Sequence, residues 1–143
     1  MSDATLQLRG VGLTRDGRDL LDEIDWTVFP GERWVVLGPN GSGKTSLVRI
    51  ASFQMHPSRG EVIVLGQQLG RVNIWKLRNR IGLASSALVD ELRPTLHAID
   101  VVVTAKNGAL EPWWHTYDDA DRAEALACLD RMGVAALADR EIA

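Results

Sequence analysis

The sequence predicts an α/β domain in which antiparallel strands lead into a strand–loop–helix unit suited to phosphate, followed by a helical region. Three observations predict it. Alternating hydrophobic runs broken by turn residues fill the first third of the chain. A glycine-rich stretch, LGPNGSGKTS from Leu37 to Ser46, separates a continuous apolar run from a helix-like pattern. After Ala87 strand patterns stop and helical ones take over. The expected boundary lies at Ser86, with an αβ subdomain over 1–86 and the start of a helical subdomain over 87–143.

The elements follow in order. TLQLRGVGL alternates loosely, with Leu6 and Leu8 on one face. IDWTVF alternates Ile24, Trp26 and Val28 and ends at the turn signal Pro30-Gly31. RWVVLG is a short continuous apolar run, the pattern of a strand buried on both faces. Leu47, Val48, Ile50 and Ala51 give the next segment an apolar helical face. GEVIVLGQQL reads as a strand, a tight turn at Gly66 and a short return, IWKLRNR as a helix, and IGLAS as a further strand. TLHAIDVVVTA and DDADRAEALACLDRMGV read as helices. In the last, Ala123, Leu126, Leu129 and Met132 recur every three residues, Asp118, Asp119 and Asp121 crowd the positive start, and Gly133 supplies the stop.

Composition narrows the function. The 143 residues suffice for a real core, and 45% hydrophobic with 24% charged is ordinary for a globular protein. A net charge of −3, with scattered arginines, argues against a dedicated nucleic-acid binder. Cys128 is the single cysteine, so no internal disulfide forms and a reducing compartment is expected. The start MSDATLQLRG has no signal-peptide core, and the longest apolar runs, such as Val101 to Val103, are too short to span a bilayer. Any membrane role is expected to run through a partner.

Gly38-Pro39-Asn40-Gly41-Ser42-Gly43-Lys44-Thr45 completes the pattern G-x-x-x-x-G-K-[ST] between a strand pattern and a helix pattern. Glycines at these places let backbone N–H groups close around phosphate oxygens as an anion nest. The helix start adds partial positive charge. Lys44 supplies a point charge to the β- and γ-phosphates, Thr45 a hydroxyl to Mg²⁺, and Ser46 continues the loop into the helix. A plain strand–turn–helix corner explains neither Lys44 nor Thr45. The fold class is therefore an α/β P-loop NTPase.

GPNGSGKTSLVRI, with its Pro-Asn-Gly, resembles the phosphate loop of the ATP-binding cassette (ABC) transporter ATPases. LRGVGLTRDGRDLLDEIDWTVFPGERWVV is similar to the antiparallel strands that precede it in that family, HPSRGEVIVLGQQL to the stretch after the first helix, and LRNRIGLASSAL to the segment leading into the glutamine loop. The resemblance implies ATP and Mg²⁺ as ligands, a transmembrane permease subunit and a second ATPase subunit as partners, and a cytoplasmic place on the inner face of the membrane. Where the family stacks an aromatic residue on adenine, this chain has Arg15, and a guanidinium also stacks on a base. Where the family has its Mg²⁺-sensing glutamine, the alignment gives Ser86. The Leu-Ser-Gly-Gly-Gln signature does not occur, nor, after residue 90, does a run of four apolar residues followed by Asp-Glu. His56, His97 and His115 do not follow such a strand, so none is the family's switch histidine, and His115 reads as part of an aromatic cluster. The resemblance thus implies an N-terminal fragment that binds ATP without hydrolysing it.

It also implies that Trp113, Trp114 and Tyr117 form part of a partner surface, core packing being the plainer alternative, and that RWVVLG lacks neighbouring strands and keeps an open edge. Three other readings share the phosphate loop. A soluble ABC ATPase would lack a docking groove between Ser86 and Trp114. A small-molecule kinase would need an arginine-rich lid and an acceptor-site acid, which the later sequence does not cluster. A non-enzymatic nucleotide-binding fragment would need neither.

Overall fold

The computed structural model describes residues 4–112 and 114–142, without the side chains of Trp75, Ala87 and Leu88. The chain divides into two compact units, 1–74 and 75–143, upstream of the change of pattern at Ser86.

Among the described residues of the first unit, four strands form one sheet in the order β2-β1-β3-β4. Strands β1 (Leu6–Arg15) and β2 (Arg18–Val28) form an antiparallel hairpin closed by Asp16 and Gly17, with φ of 50° and 73°. Positive φ at both central residues is the turn that suits the right-handed twist of a hairpin. Leu20 drops out of register where Leu13 pairs with Leu21 and Thr14 with Asp19. Strand β3 (Arg59–Val64) lies antiparallel on the other side of β1, and the two-residue β4 (Gln67–Gln68) returns through Leu65 and Gly66 as expected. Gly60 carries φ +89°, and a Cβ there would stand 2.4 Å from the Gly10 carbonyl oxygen, so only glycine lets β3 approach β1 this closely. Leu8, Val11, Leu13, Leu21, Val62 and Val64 bury one face of the sheet, and Ile50 and Phe53 cover it from helix α1 (Lys44–Ala51) and its end.

Two expected strands are absent. Residues 33–38 form no strand, and no backbone hydrogen bond ties Trp34, Val35, Val36 or Leu37 to a described residue. Trp34, Val35 and Leu37 are 56%, 79% and 86% exposed. Residues 81–85 (IGLAS) likewise form none. A strand apolar on both faces is held by neighbours on both sides, and no described strand pairs with either segment. The start of the first is still tethered. Trp34 meets Trp26 edge-on at 5.8 Å, and its indole Nε1 donates to Glu32 Oε2 at 3.1 Å.

The second unit contains α2 (from Ile74 at the boundary to Arg78), α3 (Ala98–Thr104) and α4 (Asp119–Arg131). Leu77, Leu96, Val103, Ala125, Leu129 and Ala138 are buried there. The buried Thr104 hydroxyl donates to the Val101 carbonyl at 2.7 Å. Asp118 is the N-cap of α4. Its carboxylate accepts from the Asp121 N–H at 2.8 Å, and the Asp121 carboxylate accepts from the Asp118 N–H, a reciprocal capping box. Gly133, at φ 73°, lies just past the end of α4 as expected. The buried face of α4 differs from the one expected. Ala125 and Leu129, four apart, face inward, while Ala123, Leu126 and Met132 are exposed. A three-residue spacing drifts around a helix of 3.6 residues per turn, and the four-residue neighbour stays on the face.

Candidate phosphate-binding site

The loop from Gly38 to Thr45 folds around the Lys44 ammonium. Nζ donates to the carbonyls of Gly38 at 2.8 Å and Pro39 at 2.7 Å. Gly41 and Gly43 have φ of 80° and 84°, and Gly43 stands at the head of α1 with no side chain capping the helix. Leu47 N–H reaches the Gly43 carbonyl at 2.8 Å, while the N–H groups of Lys44, Thr45 and Ser46 have no carbonyl partner among the described residues. A helix start with bare N–H groups and a lysine held beside it has the features that suit an anion.

Gly43 also anchors the loop to the sheet. A Cβ there would lie 2.8 Å from both the Leu20 carbonyl oxygen and Leu21 Cδ2. The β1–β2 hairpin thus packs directly on the loop. At Gly38 a Cβ would meet Ser42 Oγ at 2.7 Å, a second close fit inside the turn.

The structure brings Gly38, Pro39, Asn40, Gly41, Ser42, Gly43, Lys44, Thr45 and Ser46 together as one loop and first helical turn. The Thr45 side chain is exposed, open to a ligand. Arg15 lies exposed at the hairpin tip in the same unit. Ser86 belongs to the second unit, where it is exposed and opens a 3₁₀ turn over Ser86–Glu91. Among the described residues no three His, Cys, Asp or Glu side chains gather as a metal site. A single threonine hydroxyl with phosphate oxygens and water is the donor set Mg²⁺ accepts, since it takes few protein ligands.

Two features were not anticipated. Arg18 is the cross-strand partner of Arg15, a pairing that the two-residue turn in RDGR signals. Glu32 accepts from the Phe29 N–H at 2.8 Å as well as from Trp34, and the Phe29 bond, then the Trp34 bond, hold its carboxyl below the ordinary value of 4.5. It clasps the approach to the loop.

Trp114 is 91% exposed, and Tyr117 is half-buried with its hydroxyl 3.3 Å from Asn107 Nδ2. Trp113 lies outside the described residues. His115 stands 6.3 Å from the Tyr117 ring, in the aromatic cluster expected of it. No described helix is long and apolar enough to cross a membrane.

Comparison with known proteins fits this geometry. The ABC transporter family model matches residues 21–143. An uncharacterized ABC transporter ATP-binding protein of Lactococcus lactis is 37% identical over 139 residues, covering 96% of this chain and 53% of the relative. Another, of Bacillus subtilis, is 35% identical over 136 residues, covering 94% and 51%. The chain spans about half the length of these relatives. A solved dimeric bacterial ABC transporter cassette superposes with a TM-score of 0.77 at 22% identity, over 95% of this chain and 61% of that one. The fold is that of the cassette.

Proposed function

The chain belongs to the ABC transporter family, and on that premise we propose that it is the ATP-binding part of a transporter's ATPase subunit, which in the whole protein couples ATP hydrolysis to transport. One observation carries the reading: Lys44 held by the Gly38 and Pro39 carbonyls beside the bare N–H groups of α1. In this proposal Gly38 to Ser46 cradle the phosphates, Lys44 meets the β- and γ-phosphate oxygens, and Thr45 serves the metal. Mg²⁺, when bound, offsets charge on the β- and γ-phosphates. Arg15 stacks on the base. Residues 1–86 form an incomplete ATP-binding core, and 87–143 begin a helical subdomain.

The proposed partners are a permease subunit, which holds the ATPase on the inner face of the membrane, and a second ATPase subunit. The exposed Trp114 supports a partner surface on the helical side. The 143 residues bind Mg-ATP without turning it over, because the phosphate loop and Thr45 bring no carboxylate of their own to orient a water. A positioned general base alone contributes on the order of 10²–10⁴ in rate.

Calorimetric titration with Mg-ATP tests the assignment. Lys44→Ala removes most of the phosphate affinity, and equal heats and affinity in the variant refute the site. Phosphate release measured beside that variant tests the second claim. Steady turnover that the mutation abolishes reveals a catalytic site in this chain.

A further inference from the structure

We propose that Arg59 is a positioning residue for the phosphate loop, because it clamps the part of the β1–β2 hairpin that holds Gly43 in place. The inference rests on the phosphate-binding reading above. Arg59 opens β3 and pairs with Gly12 of β1. Its guanidinium passes over β1 to β2, where it bonds to the Asp22 carboxylate and stands 3.6 Å from that of Asp19. Two steps between neighbouring strands make about 10 Å, a gap that the side chains close from both sides. Asp19 and Asp22 flank Leu20 and Leu21 in the chain. Those two residues are the ones packed against Gly43, through the Leu20 carbonyl oxygen and Leu21 Cδ2. One arginine thus grips both ends of the segment that abuts the loop.

The crossing is built into the strands. A Cβ at Gly12 would stand 2.5 Å from Arg59 Cζ and 2.6 Å from Nε, so the guanidinium lies on bare backbone and a side chain there would block its passage. Asp19 accepts in turn from the Thr14 hydroxyl at 2.6 Å. The residue before Arg59 stitches β3 to the same hairpin. Ser58 Oγ accepts from the Thr14 N–H at 3.0 Å, and the Ser58 N–H donates to the Gly12 carbonyl at 2.8 Å. Strand β3 follows α1 in the chain after the short run 52–58. Arg59 therefore ties the strand that follows α1 to the hairpin that touches its head.

Position matters here because of what the loop offers. N–H groups gain from a phosphate oxygen only at hydrogen-bond distance and angle, and a loop held in place before binding loses less freedom when its guest arrives. Gly43, at φ 84°, heads the helix that carries those N–H groups, so a shift of Leu20 and Leu21 reaches them directly. The clamp itself is open to water. The Arg59 and Asp22 side chains are 39% and 66% exposed, and an exposed ion pair adds little to overall stability. Its effect is expected on the fit of the loop more than on the fold.

The test is titration of the intact 143-residue chain with inorganic tripolyphosphate and Mg²⁺, a probe that needs only the loop. Arg59→Ala and Asp22→Asn are each expected to weaken binding by about threefold, the size of one exposed ion pair, and the double variant no more than either alone. The sign for Asp22 separates positioning from plain charge, since removing a carboxylate near an anion strengthens binding if the field alone matters. Gly12→Ala, which displaces the guanidinium and keeps every charge, is expected to weaken binding as well. Urea unfolding accompanies each variant. A clamp that serves only the fold lowers the midpoint and leaves the affinity of the folded chain as it was. Unaltered affinity in Arg59→Ala and Gly12→Ala overturns the proposal, and so does tighter binding in Asp22→Asn. If the unsubstituted chain binds no tripolyphosphate, or Lys44→Ala binds it equally well, the phosphate site itself is refuted and the positioning role falls with it.

Discussion

The β1–β2–β3 sheet and the segment 33–38 are both rich in apolar residues, yet one is folded into a core and the other lies open. In the sheet every strand finds its partner within the first unit, two of them through two-residue turns, and Leu8 and Val62 end 1% exposed. Leu37, as hydrophobic as Leu8, is 86% exposed. The difference lies in range. A hairpin carries its partner in the next few residues, whereas a strand apolar on both faces depends on neighbours that only distant chain supplies.

The sharpest way to break this comparison is to truncate both leucines. Leu8→Ala should cost about 3 kcal/mol of stability through lost burial and a cavity. Leu37→Ala should stay within about 0.5 kcal/mol. Urea unfolding of the two variants checks it, and equal losses would mean that Leu37 is buried in solution. A smaller effect is expected in the second unit, where Asp118→Ala should cost about 1 kcal/mol by removing the N-cap of α4. Thermal unfolding with the conservative Asp118→Asn, which restores most of the loss, separates capping from charge.

The ion pair beside that cap gives a pH prediction. Lys106, hydrogen-bonded to Asp121, holds the Asp121 carboxyl below its ordinary value of 3.8, and the Asp118 N–H helps. Because the folded value is lowered, the contribution is present above that ordinary value and is lost as pH falls through the folded one. The same contact raises Lys106 above 10.5, so its share is present below that value and is lost as pH rises through the folded one. The Lys106 side chain is exposed and Asp121 mostly covered, and solvent around the ammonium keeps the effect modest. Acid titration followed by circular dichroism should show α4 less acid-sensitive in Asp121→Asn, and identical curves would remove this pair from the account. The weakest expected effect concerns the open segment itself. Unpaired backbone flanked by Trp34, Val35 and Leu37 should give concentration-dependent self-association. Light scattering detects it, and Val35→Lys should abolish it. A strictly monomeric chain at high concentration counts against an adhesive edge.

These contrasts explain what the sequence made legible. The hairpin was readable because alternation and an Asp-Gly turn are local signals. The phosphate loop was readable because the spacing of its glycines, Lys44 and Thr45 is a local pattern suited to phosphate. The start of α4 was readable from its crowded aspartates, although Asp118 stands as the N-cap and not inside the first turn. RWVVLG and IGLAS were misread because a continuous apolar run reports the wish to be buried and not the presence of a partner. The face of α4 was misread because a spacing of three, taken alone, ignores the four-residue neighbour that keeps Ala125 and Leu129 in line. The contact of Gly43 with Leu20 and Leu21 has no sequence signature, since it depends on how the hairpin lies on the loop.

The grip on Lys44 has a consequence in simple valence. An ammonium has three N–H bonds, and the loop's own carbonyls claim two of them, from Gly38 and Pro39. One is left. The lysine is thus a keystone with a single outward prong, aimed before any guest arrives, so a guest need not immobilise a four-carbon tether to use it. The same arithmetic sets arginine apart at this position. A flat fork spreads its donors in one plane and does not turn two back and one forward. What the loop stores in Lys44 is direction as much as charge.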